Sequence, residues 1–237
     1  MSEVTKSVVN RVQLLIAVVV LLGLIILGLF AYKFIFSTSL PQNDKLMALE
    51  KTLQDIRAAM NVDSVRQYSI QKIMKIIDQY NPDMPSNLKY EIADEIYKMS
   101  VKYENLDIDL ICATITYETG RTWNPETVSK AGAMGLMQIM PNLGIWIAYY
   151  EGITWTSPED VLFNPIYNIR IGCRYLSTLI NSYQLEGGLA AYNGGEKRAA
   201  IWLANNKAEG ILLTETSNYI PNVLKLYQKF KDITVKM

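Results

Sequence analysis

The sequence contains no histidine and only two cysteines, and 23 basic residues balance 23 acidic ones among its 237 residues. Without an imidazole there is no Ser-His-Asp or Cys-His nucleophile and no histidine-ligated zinc, haem or non-haem iron site, because each needs that ring as base or ligand. Two cysteines cannot assemble a four-thiolate metal site or a disulfide framework, and a chain of this length buries enough apolar surface to fold without staples. The zero formal charge provides no broad basic field, so nucleic acid is not an expected partner. Chemistry must run on carboxylates, hydroxyls, amides or lysines.

What the chain has in excess is apolar surface, 50% of its residues against 19% charged. Part of it forms one block, Val12 to Phe36, within which Leu14 to Ala31 carries no charge. At about 1.5 Å per residue such a helix crosses a hydrocarbon core of roughly 30 Å. An uncleaved membrane anchor is the expectation. The alternative is a cleaved signal peptide, which needs only about 7–15 apolar residues and a small-residue site such as Ser37 and Ser39 would offer. Lys6 and Arg11 before the span favour a cytoplasmic N-terminus, and Lys45 and Lys51 beyond it weaken the asymmetry.

Beyond the span, Leu46, Leu49, Leu53, Ile56 and Met60 follow a 3-4-3-4 spacing among charged residues, the pattern of an amphipathic helix. About two heptads are short for a dimeric coiled coil. Residues 37–64 are therefore expected to be a stalk between an N-terminus at 1–11, an anchor at 12–36 and a globular domain at 65–237. The domain reads as helix after helix: Val65 to Tyr80, Asn87 to Tyr103, Ile108 to Thr119, Pro141 to Tyr150, Pro165 to Tyr183, Lys197 to Asn205 and Thr216 to Lys231. Breaks are expected at Asn81-Pro82, Met84-Pro85, Asn124-Pro125, Ser157-Pro158, Gly187-Gly188 and Gly194-Gly195. The only strand-like stretch is Val128 to Gln138, so the fold class is mainly α.

The helix from Ile108 to Thr119 is apolar on nearly every side, with Asp107 as N-cap and Gly120 as stop. Its last turn nevertheless holds Glu118. Partial burial and the negative end of the helix both disfavour the ionised form, which suits a general acid working near neutral pH. The alternative is a glutamate that reaches solvent or pairs with Arg121.

Around this helix the chain carries Ser129-Lys-Ala-Gly-Ala-Met-Gly-Leu-Met-Gln-Ile-Met-Pro141, Asn164-Pro165 with Asn168 and Gly172-Cys-Arg-Tyr-Leu176, Ala191-Tyr-Asn-Gly-Gly195, and Glu215-Thr-Ser-Asn-Tyr-Ile-Pro-Asn-Val223. Together and in this order they resemble the soluble-transglycosylase (SLT) type of lytic transglycosylase, in the lysozyme-like superfamily, over roughly Ile70 to Phe230. Two features depart from that pattern. Thr119 stands where the family usually has serine, and Gly120-Arg121-Thr122 lengthens the run from Glu118 to Trp123-Asn124-Pro125.

The resemblance implies a goose-type lysozyme-like helical domain, set behind the single N-terminal transmembrane helix that the apolar block predicts. It implies cleavage of the β-1,4 bond between N-acetylmuramic acid and N-acetylglucosamine in peptidoglycan, leaving 1,6-anhydro ends, with Glu118 as the catalytic acid and no metal or cofactor. Glu126, Glu196 and Glu215 carry no comparable motif, and a single carboxylate suffices if the substrate's own acetamido group supplies the nucleophile. By motif match, substrate-binding roles fall to Ser129, Met137, Gln138, Tyr192, Asn193 and Tyr219, the last also orienting Glu118. Ser129 could equally be a turn hydroxyl, Met137 core filler and Gln138 an amide that satisfies backbone. Trp123, Trp146, Trp155 and Trp202 are expected to be mainly structural.

The expected partners are peptidoglycan strands, the cytoplasmic membrane through the N-terminal helix, and envelope-complex proteins if the enzyme serves such an assembly. The domain would be extracytoplasmic. A lysozyme-type hydrolase and a non-catalytic glycan-binding scaffold remain as rival functions. Cys112 and Cys173 sit on helices of one core, where packing distances of about 8–10 Å rarely permit a bridge, so both should be buried thiols.

Overall fold

The computed structural model describes residues 3–235, so residues 1–2 of the expected N-terminal segment and 236–237 of the expected globular domain lie outside the described residues. The chain divides into two compact units, Met1–Val62 and Asp63–Met237. Helix α1 is assigned to Glu3–Tyr80 and contributes to both. In the first unit, Val12–Ile35 has a mean hydropathy of 3.2 and none of it is buried, as a membrane-crossing segment would be without its bilayer. Leu46, Leu49, Leu53 and Ile56 are likewise on the surface.

The second unit is built from the end of α1 followed by α2 (Ser86–Lys102), α3 (Ile108–Glu118), α4 (Pro141–Tyr150), α5 (Pro158–Leu162), α6 (Pro165–Gly194), α7 (Glu196–Ala204) and α8 (Thr214–Lys231). There is no strand among the described residues, only isolated antiparallel bridges pairing Met134 with Val128 and with Ile139. The expected strand-like stretch is thus a tight loop. Ile70, Ile73, Ile76 and Ile77 bury one stripe of α1, at helical spacing.

Helix α3 lies at the centre. Leu110 through Thr116 are all buried, and α8 and α2 pack against it. Asp107 caps its start by accepting a hydrogen bond from the Leu110 N–H at 2.8 Å. At the other end the Gly120 N–H reaches the Tyr117 carbonyl at 3.0 Å and the Arg121 N–H reaches Thr116 at 2.8 Å. This paired arrangement, with Gly120 at φ +59°, ends the helix immediately after Glu118. Buried Lys72 on α1 meets buried Asp109 on α3 at 2.8 Å, and Arg170 on α6 meets buried Glu95 on α2 at 2.6 Å. These pairs cross-link the helices that surround the core.

One expected break holds and one comes out differently. Ser157-Pro158 does break the chain and then opens the short α5, which was not expected, with Ser157 accepting from the Asp160 N–H at 3.0 Å. Gly187-Gly188 does not interrupt the chain. The helical course of α6 instead breaks at Gln184, with φ +60° and ψ 179°. A Cβ at Gly187 would come within 2.7 Å of Leu203, and one at Gly188 within 2.7 Å of Ile180. The pair serves close helix packing, whereas Gly195, at φ +86°, does end α6.

Candidate active site

Glu118, the last residue of α3, is half-buried. Its Oε1 accepts a hydrogen bond from the Tyr219 hydroxyl of α8 at 2.7 Å. Tyr219 is fully buried, and its ring packs edge-on against Tyr117 with centroids 5.0 Å apart. Burial pushes the Glu118 carboxyl up to about 7; the Tyr219 hydrogen bond opposes that rise and the negative charge of Glu215 adds to it. The phenols of Tyr192 and Tyr219 are both pushed well above their ordinary range, by burial first and then by the Glu118 charge. Glu118, Tyr192 and Tyr219 therefore share one electrostatic neighbourhood. Arg121 is exposed and forms no ion pair with Glu118.

The loop from Thr127 to Ile139 forms the second element of the site. Gln138 has φ +48°, and its side-chain NH₂ donates to the Thr127 carbonyl at 3.0 Å and the Gly135 carbonyl at 2.8 Å. Both amide hydrogens hold backbone. Only Oε1 remains for another partner, so Gln138 can accept but not donate. Half-buried Ser129 accepts from the Ala133 N–H at 3.0 Å and acts as a turn hydroxyl there.

Of the two readings open for Met137, its side chain takes the core one: it is fully buried, and its sulfur lies 3.8 Å from Cys173 Sγ. It fits because Gly172 has no Cβ, which would otherwise come within 2.4 Å of the Met137 sulfur. What Met137 presents is backbone: its carbonyl accepts from the Tyr192 hydroxyl at 2.7 Å. Tyr192 and Asn193 are half-buried near the end of α6. Tyr219, fully buried, meets Glu118 as the orienting role requires.

Asn168 is the residue whose part sequence reasoning left unassigned. Fully buried on α6, it accepts from the Met137 N–H at 2.7 Å and donates to the carbonyls of Met134 and Leu162, each at 2.9 Å. It staples the loop to α6. Its place in the Asn164–Leu176 motif was the available signal, but three backbone partners at sequence separations of 6, 31 and 34 cannot be read locally.

Trp123 is fully buried, and its indole N–H donates to Thr116 Oγ1 at 2.9 Å while its backbone N–H donates to Thr119 Oγ1 at 3.1 Å. Thr119 thus anchors the lengthened run after Glu118. Trp155 and Trp202 pack half-buried against the core. Trp146 departs from expectation, at 71% exposed.

The model of the transglycosylase SLT domain family matches residues 95–214, and the chain belongs to that family. It is 37% identical over 115 residues to the soluble lytic murein transglycosylase of Escherichia coli, covering 43% of this chain and 17% of that protein. Membrane-bound lytic murein transglycosylase C of Edwardsiella ictaluri is 30% identical over 177 residues, covering 70% of this chain and 47% of that one. This chain therefore spans less than half the length of either relative. Among solved structures, the 70 kDa soluble lytic transglycosylase of Escherichia coli matches with a TM-score of 0.53 and 25% identity, over 71% of this chain and 30% of that one. An inactive glutamate-to-glutamine mutant of the lytic transglycosylase Slt from Pseudomonas aeruginosa matches with a TM-score of 0.51 and 27% identity, over 57% of this chain and 23% of that one. The fold is the helical, lysozyme-like one of that family.

Proposed function

We propose that the chain is a membrane-anchored lytic transglycosylase that cleaves the β-1,4 bond between N-acetylmuramic acid and N-acetylglucosamine in peptidoglycan and leaves 1,6-anhydro ends. The observation that carries this is the Tyr219–Glu118 hydrogen bond at the desolvated end of α3, where the carboxyl titrates at about 7. Such a group can give a proton and take one back near neutral pH.

Protonated Glu118 first donates to the glycosidic oxygen as the C1–O bond breaks. The carbonyl oxygen of the muramic 2-acetamido group bonds to C1 from the other side, giving an oxazolinium ion in place of a second carboxylate's covalent adduct. Glu118, now ionised, removes the proton of the 6-hydroxyl. That oxygen bonds to C1, the oxazolinium opens, and the acetamido group is restored. The Tyr219 phenol holds the carboxyl in position through both transfers. Gln138 Oε1, the free acceptor, faces the donors of the glycan, with Ser129, Tyr192 and Asn193 bordering it. The relatives' names as lytic murein transglycosylases support this assignment.

The proposed layout is a cytoplasmic segment at 1–11, an anchor at 12–36, a stalk at 37–64 and an extracytoplasmic catalytic domain at 65–237. Support comes from the apolar span Val12–Ile35 and from the substrate, which lies outside the cytoplasmic membrane. Digesting purified peptidoglycan with the detergent-solubilised full chain, followed by mass spectrometry of the sugar ends, should yield anhydromuramic ends. Reducing ends would identify a hydrolase, and binding without cleavage a scaffold.

A further inference from the structure

Helix α4 is apolar on more than the side it buries. Ile147 and Ala148 face the core, whereas Ile145, Trp146, Tyr149 and Tyr150 are 45%, 71%, 79% and 65% exposed. Residues 145, 146 and 149 share one helical face, since positions three or four apart are neighbours there. Large apolar side chains clustered in water mark a contact surface more often than chance exposure. Beside them an open cavity of about 470 Å³ is walled by Ile145, Tyr149, Gly152, Ile153, Thr154 and Trp155. Ring hydroxyls of a glycan need many hydrogen-bond partners, and this wall offers few.

One edge of the patch, at Tyr150, is cationic. Lys102 and Arg174, both partly exposed, converge on the nearly buried Glu151 at 2.6 and 3.0 Å, and the Arg174 guanidinium lies 5.4 Å from the centre of the Tyr150 ring. Two cations against one carboxylate leave that edge positive. Trp and Tyr beside an aliphatic residue, bordered by Lys and Arg, is the composition that settles at the boundary between lipid headgroups and acyl chains, with the cations against anionic headgroups. The chain itself supplies a bilayer through Val12–Ile35, and tethering raises the effective concentration at which even a weak contact forms.

We propose that the exposed face of α4, centred on Trp146 and Tyr149, docks onto the interfacial region of the bilayer that holds the chain's own apolar span. This rests on the anchor assignment made above. Docking would hold the domain at the membrane face and limit the glycan strands it reaches to those running near the membrane.

The test uses the full chain reconstituted into vesicles of phosphatidylglycerol mixed with brominated phosphatidylcholine, whose bromines quench tryptophan fluorescence at short range. The span contains no tryptophan, so every signal comes from the second unit. Quenching should be present, should be mostly lost in Trp146→Phe and substantially weakened in Tyr149→Ser, and should be unchanged in Trp202→Phe. Retention through alkaline carbonate extraction separately checks the anchor. A chain that resists extraction but shows no quenching overturns the docking alone, and one that is extracted overturns the anchor and the docking with it. A Trp146 emission shift caused by soluble glycan fragments in detergent would assign the face to substrate and also overturn the proposal.

Discussion

The Tyr219 hydroxyl and Glu118 Oε1 meet at 2.7 Å although 101 residues separate them in the chain. The hydrogen bond and the burial around it act in opposite directions on the carboxyl, and burial prevails, since the group rises to about 7 from an ordinary 4.5. A carboxyl held in that range is protonated for a useful fraction of the time at neutral pH. It is also costly to ionise in the fold, and both consequences can be measured.

Glu118→Gln should abolish turnover, a loss of at least about 10²–10⁴-fold, while glycan binding persists. The same change should stabilise the fold in a pH-dependent way. Below about pH 4.5 the glutamate is protonated in both folded and unfolded chains and the substitution changes little. Between there and about 7 the unfolded chain ionises first, so the native glutamate becomes a growing penalty, complete above about 7. Because Glu118 is partly exposed, the gain for the glutamine variant at alkaline pH should be about 1–3 kcal/mol. Denaturant titrations at acid and alkaline pH would read it, and equal stability at both would contradict the raised carboxyl.

The alkaline limb of the pH–rate profile should move in opposite directions for two neighbours. Tyr219→Phe removes the hydrogen bond that favours the ionised acid, so the limb should shift to higher pH, with a lower maximal rate from a less constrained carboxyl. Glu215→Gln removes a negative charge that disfavours ionisation, and its limb should shift to lower pH. Shifts of the same sign in both would mean that another group limits the rate.

Gly135→Ala should be among the most destabilising single changes. Its φ is +81°, and an added Cβ would lie 2.1 Å from Asn168 Nδ2 and 2.2 Å from the Leu162 carbonyl oxygen. The left-handed backbone alone costs about 1–2 kcal/mol, and the clash falls partly on backbone that cannot yield. Asn168→Leu should cost about 2–3 kcal/mol, because it takes the partner from the buried Met137 N–H and from the Leu162 carbonyl, while the Met134 carbonyl keeps the Ile139 N–H at 3.0 Å. Thermal unfolding would rank these two against Gly132→Ala, which meets nothing within 4 Å and so carries only the backbone strain.

Cys112 and Cys173 are both free and fully buried, and burial pushes both thiols well above their ordinary range. The folded protein should resist thiol reagents, and the unreduced, denatured protein should expose two reactive groups. No reactive thiol after denaturation would reveal a disulfide that this packing does not contain.

The outline of the fold was legible because its signals are local. The span, the helical spacing and the caps at Asp107 and Gly120 each depend on a few consecutive residues, and α3 begins and ends within a residue of the expected positions. The role of the Gly187-Gly188 pair was not legible. A double glycine breaks a helix or lets another approach it, and only the nearness of Leu203 and Ile180 decides which. Met137 was ambiguous for a similar reason, since a methionine suits a cleft wall or a core equally and Gly172, on α6, makes room for it inside.

The sequence alone determined the kind of chemistry available: no imidazole, one motif-bearing carboxylate at the end of an apolar helix, and an apolar span ahead of it. Tertiary structure decided how that carboxylate behaves. Its titration depends on how much of it α8 covers, on the Tyr219 phenol and on the Glu215 charge, all brought from about a hundred residues away. It also decided that both amide hydrogens of Gln138 hold backbone and that Trp146 faces solvent. Residue type and spacing fix what a side chain can do, whereas its partners and its exposure follow from which distant segments pack against it.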